Sequence, residues 1–410
     1  MSVKGGIVKV RGSLWNTAIL VVTLLFVFIL YRTFIYSPVI FGLRDDFKKA
    51  VPFQIIPSGL SGIRAEDCGI CHKEIYEEWK TSYHARAFVD PFFQAFWRKD
   101  KNIWICLNCH SPLVNQQPWL IKSVKGGSIG RPVKEINSNY DGEFQKEGIT
   151  CAACHLRDGV ILGPYQDSSA PHPTKYDPRF RTTEICYSCH QVPGGPFQFY
   201  NGAPCATYLE FEENPYARKG YLCQTCHMPS VLRPDAVGTS PRAGGRHLWM
   251  GGHYDEMHKK AVEVKLELDK ERYGPGDTAR FTLTLTNKGA GHKIPTGDPD
   301  RHYTVKFSIV NSDGKILKEK VYTIGRWLLW WPVIVEVYEN RVLPLKSYAC
   351  TFEYRLPKNE VEGSHLIAEV TYHIMTERIH NKLKRKYGLT GGDPYSLVVY
   401  SKRMPLKVQD

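Results

Sequence analysis

The sequence predicts an α+β chain with several domains, in which an N-terminal transmembrane helix leads into a mostly helical or irregular region and then into an immunoglobulin-like β-sandwich. Three observations give this prediction. An apolar run lies near the N-terminus, a cysteine and histidine motif recurs five times between residues 68 and 227, and apolar and polar residues alternate after about residue 258. We therefore divide the 410 residues into 1–36, 37–65, 66–258 and 259–410.

The N-terminal segment 1–36 resembles a signal anchor. Lys4, Lys9 and Arg11 precede an uncharged apolar run from Leu14 to Tyr31, which is close to the length needed to cross a bilayer as a helix. A cleaved signal peptide is the alternative, but no small-x-small cleavage site follows the run. We expect a single-pass anchor in the cell membrane with the bulk of the chain on the extracytoplasmic side, periplasmic or extracellular. Segment 37–65, rich in proline and glycine, is expected to be a tether.

The repeated motif is Cys-x-x-Cys-His. Two thiols three positions apart can each add to a vinyl group of one haem, and the next histidine then binds the iron as its proximal ligand. Zinc sites and thioredoxin-like pairs also use Cys-x-x-Cys, but they do not need a histidine at the next position each time. We therefore predict five covalently bound c-type haems in a multihaem cytochrome domain at 66–258. The predicted attachment and ligand residues are Cys68, Cys71 and His72; Cys106, Cys109 and His110; Cys151, Cys154 and His155; Cys186, Cys189 and His190; and Cys223, Cys226 and His227.

The strongly basic composition does not indicate a nucleic-acid partner. The formal charge is +13, but lysine and arginine are spread along the chain without a basic run interleaved with aromatic residues. Each predicted haem also carries two propionate carboxylates, which the basic residues would balance. No nucleic acid is therefore expected.

Ten histidines remain after the five proximal ones, and a second imidazole on each iron would favour fast electron exchange. His84 follows the first motif by twelve residues. His247 and His253 are flanked by glycines, which would let the backbone approach a flat macrocycle. His172 and His292 are further candidates. The alternative for each is a solvated or structural histidine.

Several of these segments carry a family resemblance. The stretch from Cys68 through Trp79 to His84, the Gly148 to His155 segment, the Cys223 to Pro229 segment and the Gly291 to Gly297 loop together resemble the multihaem cytochromes of the cytochrome c-554 and hydroxylamine oxidoreductase superfamily. The resemblance covers about residues 65 to 300. It implies that His84 is a distal iron ligand, with His172, His247, His253 and His292 in similar positions.

An internal repeat relates two segments of the predicted cytochrome domain. Tyr76-x-Glu-Trp-x-x-Ser-x-His84-Ala-Arg aligns with Tyr208-x-Glu-Phe-x-x-Asn-x-Tyr216-Ala-Arg. The second copy thus has tyrosine where the first has a possible iron ligand. A duplicated scaffold is one interpretation, and a chance match of two aromatic helices is the other.

The C-terminal part, 259–410, has the period-two pattern of half-buried strands. Val262, Val264, Leu266 and Leu268 alternate with charged residues. Similar runs predict strands near 281–285, 303–309, 316–324, 333–338, 347–356, 366–374 and 395–400, a spacing that suits an immunoglobulin-like sandwich.

These predictions favour an electron-transfer protein whose partners are redox proteins or quinol. One alternative is a haem-based oxidoreductase in which one five-coordinate haem acts on a small nitrogen or sulfur compound. Another is a subunit of an extracellular cytochrome filament or other homo-oligomer.

Overall fold

The computed structural model describes residues 8–31, 49–125, 129–166, 169–192, 204–330, 335–357 and 363–407. Its α-helices are α1 (Val8–Leu30), α2 (Ala65–Gly69), α3 (Lys73–Thr81), α4 (Pro91–Lys99), α5 (Leu107–His110), α6 (Gly142–Gln145), α7 (Cys151–His155), α8 (Glu184–His190), α9 (Thr207–Glu212), α10 (Pro215–Arg218), α11 (Cys223–His227), α12 (Asp255–Ala261) and α13 (Glu377–Tyr387). Its strands are β1 (Trp119–Val124), β2 (Pro132–Ile136), β3 (Leu156–Arg157), β4 (Val160–Gly163), β5 (Thr174–Tyr176), β6 (Ser230–Pro234), β7 (Pro241–Gly245), β8 (Val262–Leu268), β9 (Thr278–Asn287), β10 (His302–Val310), β11 (Ile316–Ile324), β12 (Arg326–Leu329), β13 (Val335–Glu339), β14 (Ser347–Arg355), β15 (His365–His373) and β16 (Ser396–Pro405).

Helix α1 covers the N-terminal apolar run. Among the residues that the structure describes, however, no helix is long and apolar enough to cross a membrane. The apolar part of α1 begins after Arg11, extends from Leu14 to Leu30 and includes Asn16 and Thr17. At about 1.5 Å per residue these roughly 17 residues span about 25 Å, less than the ~30 Å hydrocarbon core of a bilayer. The prediction of an N-terminal transmembrane helix is therefore wrong.

The region from Ala65 to Ala261 is built from short helices, as its sparse apolar residues suggest, and its described residues also form three small sheets. Strands β1 and β2 form a hairpin, β3, β4 and β5 form a second sheet, and β6 and β7 form a third. These strands have two to six residues each, which is too short for alternation to stand out in the sequence. The expectation of helices and irregular chain alone missed them.

The segment before the first motif packs against this region. Val51 pairs with Leu113 in a β-bridge. The side chain of Asn115 accepts a hydrogen bond from the main-chain N–H of Gln54 at 2.9 Å and donates one to its carbonyl at 3.0 Å. Residues 37–48 of the expected tether, like residues 32–36 of the expected signal anchor, lie outside the described residues.

The C-terminal part folds as two facing antiparallel sheets. One has the strand order β11-β10-β15-β16 and the other β14-β9-β8. Alternate residues point into the space between them, so that Phe281, Leu283 and Leu285 of β9 are fully buried against Phe307 of β10 and Phe352 of β14. This packing supplies an apolar core that does not depend on any cofactor.

The two parts are joined by continuous chain and by side-chain contacts. Helix α12 ends at Ala261 and β8 begins at Val262. Phe92 and Ala95 of α4 pack against Met375 and Leu383 near α13. Arg341, after β13, donates to Glu210 of α9 at 2.8 Å and to Glu339 at 2.7 Å, and the side chains of Arg341 and Glu210 are 3% and 6% exposed. The sandwich is therefore fixed to the motif-bearing region.

Candidate functional site: five cysteine and histidine motifs

Each Cys-x-x-Cys-His motif lies on a helical turn. In α7 and α11 the motif is the whole helix, α8 ends with it, and in the second motif Cys109 and His110 lie in α5. The first motif begins in α2 and continues into the following turn, where His72 precedes α3. Residues three and four apart share a face of a helix, so each turn presents two thiols and an imidazole together. All ten thiols are free of disulfides.

The proximal histidines are oriented by main-chain carbonyls. Nδ1 of His72 donates to Asp235 O at 2.6 Å, His110 to Ala87 O at 2.7 Å, His155 to Leu162 O at 2.8 Å and His227 to Met250 O. A proton held on Nδ1 leaves the lone pair on Nε2, which is the tautomer that binds a metal. Four of the five imidazoles are thus held in the tautomer that is able to bind a metal ion.

Three predicted distal histidines face proximal ones. The ring centroids are 6.4 Å apart for His84 and His190, 6.2 Å for His155 and His247, and 6.3 Å for His227 and His292. Two imidazoles on one metal ion, each bonded at about 2 Å with its centroid about 1 Å further back, would have centroids roughly 6 Å apart. The three separations fit one iron between each pair.

These rings line space inside the protein. Desolvation by the many protein atoms around His190 is the main cause that lowers its pKa to about 4. Its side chain is nevertheless exposed. A side chain that is surrounded by protein and still accessible faces an internal space. His84 is similar, because burial and then the charge of His190 lower its pKa to about 3 while its side chain is only half-buried. The donor set and the space between the rings both fit a flat iron-bearing macrocycle.

The two other distal candidates are placed differently. The pKa of His172 is lowered by burial and also by the charge of His72, so it lies near the first motif. His253 stacks on Tyr83, with ring centroids 3.9 Å apart. Among the described residues, Nδ1 of both His172 and His253 is buried without a hydrogen-bond partner. The structure therefore brings His172 towards His72, whereas His253 packs on a tyrosine.

The order of the motifs in space differs from their order in sequence. Helix α2 of the first motif packs against α7 of the third, and Cys151 is the main cause that lowers the pKa of Cys68. Helices α5 and α8 of the second and fourth motifs are also in contact, and Gln224 of the fifth motif donates to Thr182 O, just before α8, at 2.6 Å. The first motif is thus adjacent to the third, the second to the fourth, and the fourth to the fifth.

Structural zinc needs four ligands, and across the described ranges no cluster of three or more His, Cys, Asp or Glu side chains could hold a metal ion.

The structure also reveals residues that hold the distal histidines and that the sequence did not single out. Glu78 accepts a hydrogen bond from the main-chain N–H of His247 at 2.9 Å and forms two bonds of 2.7 Å with Arg233. Tyr216 donates to Lys288 O at 2.6 Å. The tyrosine that replaces His84 in the second repeat copy thus anchors the loop that carries His292. The internal repeat had drawn attention to Tyr216, but it did not predict the hydrogen bond to Lys288.

Further contacts fix the His292 loop from both sides. The carbonyl of His292 accepts from Asn287 Nδ2 at 2.8 Å, Lys293 pairs with Glu339 at 2.8 Å, and Thr296 donates to Glu210 at 2.7 Å. One histidine pair therefore spans the junction between the motif-bearing region and the sandwich.

Comparison with solved structures identifies the fold. No protein-family model matches the chain, and no curated protein is similar to it. The pentahaem cytochrome c552 from Thermochromatium tepidum is similar, with a TM-score of 0.60, 18% identity, and coverage of 84% of this chain and 98% of that chain. At this identity the likeness establishes the fold alone. The chain has a multihaem cytochrome fold, which it shares with this pentahaem cytochrome.

Two other structures match only part of the chain. A CARDB domain from Pyrococcus furiosus has a TM-score of 0.18 and 14% identity, and covers 36% of this chain and 87% of its own. The sporulation control protein Spo0M from Bacillus subtilis has a TM-score of 0.17 and 15% identity, with 37% and 50% covered. TM-scores this low carry no functional argument.

Proposed function

We propose that the protein is a c-type cytochrome that carries five covalently attached haems and passes electrons between them. The observation that carries this proposal is the separation of 6.2 to 6.4 Å between the rings of three histidine pairs. Each pair joins the histidine of a Cys-x-x-Cys-His motif to one distant in sequence. Ordinary packing of histidines gives no reason for this spacing to recur three times.

The proposed ligand sets follow from these pairs. His84 serves the haem at His190, His247 the haem at His155, and His292 the haem at His227. His172 is assigned to the haem at His72, and His253 is the remaining candidate for the haem at His110. The paired motif cysteines hold each haem covalently. A haem with two imidazole ligands supplies a one-electron centre that is closed to substrate and changes its geometry little on reduction.

The contacts between the motif helices support a continuous electron path. Because α2 packs against α7, α5 against α8 and α11 against the segment just before α8, the first haem neighbours the third, and the fourth neighbours the second and the fifth. The pKa of Cys154 is raised by burial and then by the charge of Cys189, which supports a link between the third and fourth haems. We propose that electrons pass between the first and third haems and between the third and fourth, and that the fourth haem also exchanges electrons with the second and the fifth.

We propose an extracytoplasmic location, since c-type haem attachment is completed there, and redox proteins or quinol as electron partners. An exposed cysteine at each of two motifs, Cys71 and Cys226, supports entry and exit at the first and fifth haems.

Haem content and iron coordination test the proposal directly. The mature protein, made in a host with a c-type haem attachment system, should contain five haems per chain by pyridine haemochrome assay. Its ferric form should show mainly low-spin signals in electron paramagnetic resonance at low temperature. Fewer than five haems per chain, or mainly high-spin iron, would contradict the proposal.

An enzyme is the second candidate because of the surroundings of His253. Burial and then the charge of Arg301 lower its pKa to about 3, and its ring stacks on Tyr83 rather than on a proximal histidine. If His253 does not ligate iron, one haem is left five-coordinate and open to a small nitrogen or sulfur compound. Stoichiometric binding of cyanide or nitric oxide to one ferric haem would favour the enzyme, and the absence of binding would favour the carrier.

A further inference from the structure

Arg301 differs from the other buried arginines of the molecule. Arg233 lies 2.7 Å from Glu78, Arg326 lies 3.6 Å from Glu336, and Arg341 lies 2.7 Å from Glu339. Arg301 has no carboxylate within 4 Å among the described residues. Its Nε is buried without a hydrogen-bond partner, and Nη1 makes one long bond of 3.4 Å to Thr296 O. This guanidinium therefore keeps unused donors inside the protein.

The space around this guanidinium is kept open by glycine. A Cβ atom at Gly252 would lie 2.8 Å from the hydroxyl of Tyr372 and 3.5 Å from Arg301 Nη1. Gly297, whose φ of +89° disfavours other residues, would bring a Cβ to 3.1 Å from the same nitrogen. Because both positions lack a side chain, the backbone can approach Arg301 and Tyr372 closely without covering them.

Arg301 also lies near a proposed haem ligand. Gly297, which approaches Arg301, and Pro204 both accept hydrogen bonds from Arg326, at 3.0 and 2.7 Å, and the thiol of the next residue, Cys205, donates to the carbonyl of His190 at 3.4 Å. A guanidinium keeps its charge in proteins, so Arg301 stays cationic although burial opposes the charged form. Like His190, Arg301 is surrounded by protein while its side chain stays partly accessible. It therefore faces the internal space on the His190 side.

A cation in such a place is costly unless an anion compensates it. Removing a charged group from water is unfavourable, and a partner of opposite charge must offset this cost. A guanidinium binds planar oxyanions in particular, since two of its N–H groups match the two oxygens of a carboxylate. Each haem brings two such carboxylates as propionates.

We propose that Arg301, with the hydroxyl of Tyr372, forms a binding site for an oxyanion in the space beside His190. The ligand we assign to it is a propionate carboxylate of the haem attached at Cys186 and Cys189. A free oxyanion has the same chemistry and is the other source that the experiment must distinguish. This inference rests on the proposed haem content. It places a cationic residue next to β10 of the sandwich beside a haem that is attached to the motif-bearing region.

The site should set the midpoint potential of one haem. A cation paired with a propionate disfavours the extra positive charge of ferric iron, so its removal should favour the ferric state. The test is a potentiometric titration of wild type and Arg301→Leu, in which the low-spin signals of the individual haems are followed by electron paramagnetic resonance. If a propionate is the ligand, one haem in Arg301→Leu titrates at a lower potential, and acetate or nitrite leaves the wild type unchanged. If a free oxyanion is the ligand, acetate or nitrite shifts the same haem in wild type and has no effect on the variant.

Three further variants separate charge from structure. Arg301→Lys keeps the charge and should remain close to wild type. Tyr372→Phe removes one donor and should lower the potential of the same haem by a smaller amount, so it serves as the test if Arg301→Leu does not fold. Arg280→Leu is the matched control, because Arg280 pairs with Glu353 on the exposed face of the sandwich.

Two results would overturn the site. In the first, every haem of Arg301→Leu has the same midpoint potential as in the wild type, and neither acetate nor nitrite shifts any haem of the wild type. The other is an equal shift of several haems in both Arg301 variants, which would indicate a general structural role. The haem count of the wild type is measured separately, so a chain with five low-spin haems and an inert Arg301 would refute this site and leave the proposed function intact.

Discussion

Glu78 and the main-chain N–H of His247 are joined by a hydrogen bond of 2.9 Å, which ties a residue of α3 to the segment that carries a proposed iron ligand. The same carboxylate forms two 2.7 Å bonds with Arg233, whose side chain is only 7% exposed. Burial raises the pKa of Glu78, but the bonds from Arg233 and His247 outweigh this, and the net pKa is lowered. Glu78 therefore stays ionised. It connects α3, which follows the first motif, to His247, which faces His155 of the third motif.

The Glu78→Ala variant should lose stability and also disturb one haem. Removing one partner of a buried ion pair leaves an uncompensated charge, here Arg233, at a cost of about 3 kcal/mol or more. The free energy of unfolding, measured by denaturant titration, should fall by this amount, and the low-spin signal of one haem should weaken. Glu74→Ala is the control, because Glu74 is 67% exposed and 3.7 Å from Arg233. An equal loss in both variants would contradict the assignment.

Substitution of single distal histidines should convert single haems to the high-spin state. His84→Ala, His247→Ala and His292→Ala each remove one ring of a facing pair, so each should move about one fifth of the iron from low-spin to high-spin signals. The three variants should affect three different haems, which redox-resolved spectra distinguish. His380→Ala, on α13, is the control and should leave every signal as in wild type. An unchanged low-spin spectrum in His292→Ala would refute the iron bond between the sandwich and the haems.

The sequence predicted the parts of this molecule whose signals are local. Five motifs identified the helical turns that carry paired cysteines and a histidine, and alternation from Val262 onwards predicted strands close to the observed ones. Pairings between distant residues could not be derived, since nothing near His84 indicates that it faces His190 rather than His72. The residues that support the ligands were missed for the same reason, because Glu78 and Arg233 carry no pattern until the fold brings them together. The apolar composition of the N-terminal run predicted a membrane span, but the apolar part of α1 is too short to cross a bilayer.

The buried network at the junction should control how the sandwich is held. Arg341→Met removes a guanidinium that is 3% exposed and leaves Glu210 without its ionic partner, so we expect a loss of about 3 to 5 kcal/mol in the free energy of unfolding. Limited proteolysis should then cleave more readily in the loop that contains His292, since Glu210 and Glu339 also hold that loop. Arg280→Met breaks an exposed pair and should cost no more than about 0.5 kcal/mol. Similar stability in the two variants would show that the network is not structural.

The pH dependence of stability should report the same network through Glu339. Burial raises its pKa, but the bonds and charges from Arg341 and then Lys293 outweigh this and lower the pKa to about 2. In the unfolded chain a glutamate titrates near pH 4.3. Because the folded pKa is the lower one, the stabilisation from Glu339 is fully present above about pH 5 and is lost as the pH falls towards 2.

The difference between the two pKa values corresponds to about 3 kcal/mol at neutral pH, as an order of magnitude. Unfolding free energies of wild type and Glu339→Gln, measured between pH 7 and pH 3, should therefore differ most at neutral pH and converge as the solution becomes acidic. Glu353→Gln, on the exposed face, should follow the wild-type curve throughout. A constant difference between wild type and Glu339→Gln across this range would mean that the charge of Glu339 does not stabilise the junction, and that its contacts with Arg341 act through packing alone.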